Sequence, residues 1–312
     1  MEQKKNIFYH YTSISALYEI IKNKTLLLSG VQSLNEKEEA SYSVEDFEKD
    51  FKTLYESKKY DFINYLYENA FLPKKADFEE LAKPDIDPFV FSVSERRDNL
   101  AHWDRYADVR RGVCIGIDIS KLLQIPFVDM SFVQISQILY NEKQRLDYLI
   151  RSIKDRVFSK PRIQIVPEIP MDLFYRDMGY TLISDCYRQM KYFVKKDVWE
   201  DEGEIRIAYE DTLAKDTFSK IPHLQDVYKD FQFPDMNLVF KQSGLDVLEF
   251  KLINNKIRPC RFLDISSIWN VGLITEVMLG PKCEQSKKDL ELFLSSNELK
   301  DVNVTESRIK IR

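Results

Sequence analysis

The residues with the most chemical potential in this chain form one run, Trp199-Glu200-Asp201-Glu202-Gly203-Glu204-Ile205-Arg206-Ile207. Read as a β-strand, whose side chains alternate from face to face, it sets Glu202, Glu204 and Arg206 on one side and turns Ile205 and Ile207 into a core. A carboxylate presented that way to a cleft is the functional account of the pattern. A solvated edge strand, whose charges discourage sheet-to-sheet pairing, explains the same pattern without chemistry. Residues elsewhere must decide between the two.

His10 lies in Phe8-Tyr9-His10-Tyr11-Thr12, at the end of a first strand and just before a helix, and is one of only 3 histidines. A lone histidine is most often a hydrogen-bonded structural residue. Beside Tyr9 and Tyr11, and with Thr12 at a helix start where hydroxyl and amide donors converge, it is also a candidate ligand contact. Ser29 and Asn35 are polar groups just beyond a second strand, on a loop where a ligand can be met. The same loop, Leu34 to Glu39, reads equally well as an acidic first helical turn.

The stretch Ser92 to Ala107 combines Arg96, Arg97 and Arg105 with Trp103 and Tyr106. Guanidinium forks grip phosphate and aromatic faces accept a base or sugar ring, as a dinucleotide or a nucleic-acid end requires. The competing account makes Trp103 a core anchor and leaves the arginines in solvent. Asp246 with Glu249-Phe250-Lys251 looks like the Glu-x-Lys step of magnesium-dependent nucleases, but such tripeptides are common by chance and this one falls in an alternating hairpin strand.

The elements that must position these groups are short and mixed. Ile7 to Tyr11 reads as a strand. Ile14, Leu17, Tyr18 and Ile21 make a helical stripe after a Thr12-Ser13 cap, and Thr25 to Ser29 is a second strand. From Lys37 to about Leu81 the spacing of Phe47, Phe51, Leu54 and Tyr55 predicts two or three helices. Strands are predicted at Phe89 to Val93 and Val113 to Ile117. A helix from Asp98 to Tyr106 lies between them, with Leu100, Trp103 and Ala107 on one face. Long helices follow at 141–158 and 173–194, the second with a stripe of Leu182, Cys186, Met190 and Phe193. After a proline-punctuated loop, Asp211 to Pro234, Asn254-Asn255 turns a hairpin between Val247–Ile253 and Ile257–Leu263. The chain then runs through a strand at Ile274–Leu279, a helix from about Ser286, and strands at Val302–Val304 and Arg308–Ile311. This order predicts an α+β fold: a mixed, largely antiparallel sheet core with packed helices. With no Gly/Ser/Pro-rich linker, the expectation is one compact domain, 1–312, carrying a helical insertion at 37–82 and a helical segment at 141–195.

Composition narrows the classes. At 44% hydrophobic and 13% aromatic the 312 residues are those of a folded protein, and a net charge of −5 argues against a coat for nucleic acid. Cys114, Cys186, Cys260 and Cys283 form no Cys-x-x-Cys pair, so they read as reduced, mostly buried thiols and no metal site is expected. With 8 glycines there is no Gly-x-Gly-x-x-Gly turn and no P-loop. Met1 to Asn6 leads into a strand without an apolar signal region, and no segment is apolar for long enough to span a bilayer. The expected location is therefore the cytoplasm, with no membrane partner.

Taken together, Tyr9-His10-Tyr11-Thr12, the Ser29 to Glu39 loop, Phe91-Ser92 through Trp103, Tyr106-Ala107 to Ile115, Trp199 with Glu202, Glu204 and Arg206, and Leu279-Gly280-Pro281 resemble the bacterial domain of unknown function 2971 family over nearly the whole chain. The chain departs from that pattern at Asn35-Glu36-Lys37, where the family usually reads Asn-Asp-Pro, and at His102, where it often has Met. A looser likeness is to ADP-ribosyltransferases that modify nucleic acids and to RNA 2′-phosphotransferases. These begin with a strand carrying His-x-Thr before a helix and carry a glutamate on a late strand, places held here by His10, Thr12 and Glu204. That likeness implies an ADP-ribosyltransferase-like sheet and an enzyme consuming NAD, as a transferase or glycohydrolase. Toxin and antiphage defence effectors are the expected setting. On it, Glu204, Glu202 and His10 are the catalytic residues, a glutamate serving the ribose and His10 with Thr12 holding the NAD ribose and amide, and Tyr11, Ser29, Asn35 and Trp103 line the NAD site. Arg96 or Arg97 then meets the pyrophosphate and Arg206 orients the glutamate, His10 and Glu204 facing one cavity. The acceptor is left open between nucleic acid, protein and water. Two other classes stay open: a non-enzymatic nucleotide-sensing or interaction module, and a metal-dependent nuclease built on Asp246, Glu249 and Lys251.

Overall fold

The computed structural model describes residues 6–31, 42–74, 88–129, 133–158, 171–210, 236–253 and 255–310. Across them the chain is an α+β fold with a mixed, mostly antiparallel open sheet and several helices. Its contacts divide it into two compact units. Met1–Asn35, Ile86–Gln137 and Asp201–Arg312 form a sheet unit, and Glu36–Asp85 with Ile138–Glu200 form a helical unit. Both helical stretches singled out in the sequence, 37–82 and 141–195, fall in the second.

The sheet unit starts as the periodicities predict, with β1 (Ile7–Thr12), α1 (Ile14–Asn23) and β2 (Thr25–Gly30). Ser13 is the residue that caps α1, its Oγ accepting the Ala16 N–H at 3.1 Å, and Lys24 ends the helix in the left-handed region at φ 53°. Leu17, Ile20 and Ile21 are buried at helical spacing, each contributing about 1.5–3 kcal/mol of apolar burial. The remaining strands are β3 (Phe89–Ser94), β4 (Val113–Asp118), β5 (Val133–Gln137), β6 (Glu204–Tyr209), β7 (Glu249–Ile253), β8 (Lys256–Asp264), β9 (Ile274–Leu279) and β10 (Asn303–Glu306). β5 was not expected. Of the strand predicted at Arg308–Ile311, the described residues Arg308–Lys310 lie outside any strand, because Asp98 takes the Ser307 hydroxyl at 2.8 Å and the Arg308 N–H at 2.9 Å. The loop expected at 211–234 lies outside the described residues.

Strand order is β10-β9-β4-β1-β3-β2-β8-β7, with β6 added to β3 and β5 to β6; β10 and β9 are parallel and every other pairing is antiparallel. β3 is the branch point. One edge is paired along its whole length by β6, Phe89 to Ser94 against Tyr209 to Glu204. The other edge is shared, β1 meeting it at Ser94 and β2 at Val90 and Phe89. The sheet therefore forks: β1 carries β4, β9 and β10 away on one arm, β2 carries β8 and β7 on the other, and Phe91 to Val93 lie at the fork.

Register assigns each side chain to a face. On the core face Ile115, Ile117, Phe91, Val93, Ile205 and Ile207 join Leu17, Ile20 and Ile21 of α1 in one apolar cluster. Ile205 and Ile207 point inward as alternation predicts. The second face carries Tyr9, Tyr11, Ser92, Ser94, Glu204, Arg206, Cys114 and Met278.

In the helical unit, α2 (Val44–Glu56) buries the predicted Phe47, Phe51 and Leu54, and α3 (Asp61–Leu66) follows it. Ser43 and Asp46 form a reciprocal capping box at the start of α2. This unit's own apolar core also takes Leu149 and Ile153 from the helix Glu142–Phe158, and Ile183, Cys186 and Met190 from the helix Met171–Phe193. The buried Asp50 carboxylate accepts from Arg145 Nε at 2.6 Å and from the Tyr42 hydroxyl at 2.7 Å.

Candidate functional site

The charged run does not hold one row. Gly203 has φ +50°, a left-handed conformation that suits glycine, and it separates Glu202 from a strand that begins only at Glu204. Glu202 instead closes a 3-10 turn, Asp197–Glu202, where its carboxylate accepts from the Tyr106 hydroxyl and from Arg105 Nη1 at 3.3 Å. Glu204 and Arg206 keep the alternation and lie on the second face. Arg206 Nε donates to Glu204 Oε1 at 2.8 Å, and Ser92 Oγ, across on β3, donates to the same oxygen at 2.6 Å. Both members of the ion pair are buried, Arg206 completely. Two fixed carboxylates thus flank one glycine turn, each with its own arginine.

His10 takes the other face. It pairs with Ile115 across β4, its ring stacks on Phe91 with centroids 4.3 Å apart, and its Nδ1 lies 2.9 Å from the Ser92 carbonyl at the fork. The expected common cavity for His10 and Glu204 is therefore not what the register gives. Among the described residues Ser92 links them, its carbonyl holding the imidazole and its hydroxyl the carboxylate. Thr12, two residues on, shares the core face with His10, whereas Tyr11 and Ser29 lie on the face of Glu204.

Enclosure pushes the His10 pKa down to about 4 from its ordinary 6.5, the Ser92 carbonyl opposing in part, so folding favours the neutral ring. Below about pH 6.5 the unfolded chain takes up a proton that the folded chain refuses until about pH 4, so acidification over that window should remove stability, approaching about 3 kcal/mol. Urea midpoints measured from pH 7 to pH 4 should fall for the wild type and less steeply for His10→Gln. Parallel profiles would refute the assignment.

The arginines have different fates. Arg97 is engaged bidentately by Glu276, Nε to Oε1 at 2.9 Å and Nη2 to Oε2 at 2.7 Å. Arg96 is held through its backbone: its N–H donates to Ser94 Oγ at 2.9 Å and its carbonyl accepts the Tyr11 hydroxyl at 2.7 Å. Its guanidinium is exposed and has no ion-pair partner among the described residues, and its Nε stands 3.6 Å from the position a Cβ on Gly203 would occupy. Arg96 and the exposed Arg105 therefore set two cations against the turn that carries the two carboxylates.

Trp103 belongs to the core. Asn99 caps α4 (Leu100–Tyr106) through Oδ1, accepting from the N–H groups of Ala101 and His102. The buried stripe is His102, Trp103 and Ala107, which leaves Leu100 exposed rather than on the packed face. The Trp103 indole is fully buried, donates to Asp98 Oδ1 at 2.7 Å and meets the Tyr11 ring edge-on at 4.9 Å. His102 is buried with Nδ1 unbonded among the described residues, and burial lowers its pKa. Asn35 and its loop lie outside the described residues, as does His223.

Sequence reading passed over Ser92, Ser94, Asp98 and Glu276. The two serines carried a legible signal, since hydroxyls two apart in an apolar strand must share a face. Glu276 carried none, because its partner Arg97 is 179 residues away.

Asp246, in the turn before β7, and Glu249, at the start of β7, are exposed, and Lys251 Nζ lies 5.0 Å from the Phe262 ring centroid. Among the described residues no group of three His, Cys, Asp or Glu is placed to hold a metal ion, all four cysteines are free, and no helix is long and apolar enough to cross a membrane. No family model, no curated protein and no solved structure compared with the chain matches it.

Proposed function

We propose that the sheet unit is an ADP-ribosyltransferase-like enzyme that consumes NAD, transferring ADP-ribose to an acceptor or to water. The observation that carries this reading is the buried Glu204 carboxylate, fixed by Ser92 and Arg206 beside the fork of the sheet. In such a reaction the bond between ribose and nicotinamide breaks, nicotinamide leaves with the bonding electrons, and a nucleophile adds at the ribose carbon. A carboxylate fixed near that carbon stabilises the oxocarbenium-like state without having to reorganise. Glu204 is the first choice and Glu202, on the far side of Gly203, the second. Arg96 suits the pyrophosphate, being an exposed cation without an ion-pair partner among the described residues, and Arg105 can support it. Arg97, engaged by Glu276, is not available in this arrangement. His10 acts on Ser92 rather than on the ribose.

NAD turnover should be measured for the wild type, Glu204→Gln and Glu202→Gln with water, protein and nucleic-acid acceptors. Loss of one fixed charge at the reacting centre is expected to lower turnover at least about a hundredfold, with no requirement for metal. A folded protein that binds NAD and turns over none of it would refute the enzyme.

The satisfied state of both acids favours a second reading. Glu204 already accepts from Arg206 and Ser92, and Glu202 from Tyr106 and Arg105, as expected of a binding module that retained its cleft. A thermal midpoint raised by NAD without turnover would select that reading.

A further inference from the structure

β7 is the last strand of its arm, paired to β8 alone among the described residues. Its hairpin is also unusually apolar for an edge. Phe250 is 62% exposed, Leu252 70% and, across the ladder, Ile257 76%, and Val247 and Leu248 are exposed beside them. Five of the fifteen large hydrophobic side chains exposed among the described residues fall between 247 and 257. Phe250 pairs with Pro259 and Leu252 with Ile257, so these four share a face, and Glu249 and Lys251 occupy the other. Isolated edges are normally kept apart by charge or twist, and a long apolar edge is a template for a further strand.

We propose that this edge pairs with β7 of a second copy of the chain, antiparallel about a two-fold axis through Phe250. Three facts choose that occupant and that register. The closing pair of the hairpin is Ile253 with Lys256, two residues apart across the turn, and alternate positions of an antiparallel ladder turn their N–H and C=O groups outward. Within the ladder those positions are Phe250 and Leu252, and the axis through Phe250 sets Phe250 against its own copy and Leu252 against Leu248, the residue just before β7. The same register brings Glu249 opposite Lys251 twice, joining unlike charges across the two-fold. Shifting the axis to Lys251 or to Glu249 would oppose like charges instead. The interface is isologous and closes on itself, so it ends at two copies.

Sedimentation of the full chain across about 1 to 100 μM is the test. The wild type should sediment with twice the mass of one chain. Glu249→Lys and Lys251→Glu should each raise the dissociation constant at least tenfold, since each single reversal sets two pairs of like charges face to face. The exchange variant Glu249→Lys/Lys251→Glu should restore the wild-type constant, an outcome that a folding defect would not produce. A monomeric wild type, a dimer indifferent to both single reversals, or a double variant no tighter than the singles would overturn the proposal.

Discussion

Arg206→Met is expected to destabilise the sheet unit by about 3–5 kcal/mol, because it takes the guanidinium from a buried carboxylate that cannot regain water. The expected loss comes from charge rather than volume, since methionine fills much of the space of the arginine stem. Glu204→Gln keeps an acceptor for the Ser92 hydroxyl while neutralising the acid. The double variant Glu204→Gln/Arg206→Met should therefore lose clearly less than the two single losses combined, the signature of a pair whose members are costly only when separated. Hydrogen exchange in β3 and β6, with urea midpoints of all three variants, measures it. An Arg206→Met protein as stable as the wild type would show that the buried pair carries no stability. The comparison also protects the turnover experiment, because any activity lost in Glu204→Gln must be read at a temperature where the variant is folded.

Trp103→Ala should cost about 3–5 kcal/mol by a different route, the cavity left by a fully buried indole. The ring closes a cluster with Tyr11, Ala107, Cys114 and Met278, and its Cζ3 atom would lie 3.1 Å from a Cβ on Gly280, so the wall behind it is backbone that cannot collapse inward. The indole N–H also holds Asp98, the group that receives the Ser307 hydroxyl and the Arg308 amide. Truncation should therefore free Ser307 to Lys310 as well as loosen β1, β4 and β9. Trp103→Phe keeps most of the volume and loses only the hydrogen bond, about 1 kcal/mol. Faster amide exchange in the segment after β10 is expected for both variants, and faster exchange in β1, β4 and β9 for Trp103→Ala alone. Equal effects of the two would assign the loss to the hydrogen bond instead of the packing.

Much of the sheet unit was legible because its signals are local. β1, α1 and β2 follow from a change of apolar period within twenty-odd residues, and the β7–β8 hairpin from Asn254-Asn255 between alternating runs. β5 was not, since among Val133, Gln134, Ile135, Ser136 and Gln137 only Val133 is buried. The site was half legible. Glu204 and Arg206 obey the alternation read from the sequence, whereas Glu202 escapes it through the left-handed φ of Gly203, a choice glycine permits without announcing. The face taken by His10 depends on which residue of β4 it meets, and Arg97 depends on an acid far along the chain. Such facts belong to register and topology, which no short window contains.

The fork has a consequence for biosynthesis. β3 offers both edges to partners, yet Phe89 to Ser94 leave the ribosome well before Glu204 to Tyr209, and the second segment of the helical unit, Ile138–Glu200, must be made in between. At ordinary elongation rates of about 5–20 residues per second, the bare side of β3 waits roughly 6 to 23 s for its proper mate. During that interval Ser92 has no acid to bind and the nascent sheet presents an unclaimed margin to other chains. Slowing translation before residue 204 would lengthen that exposure.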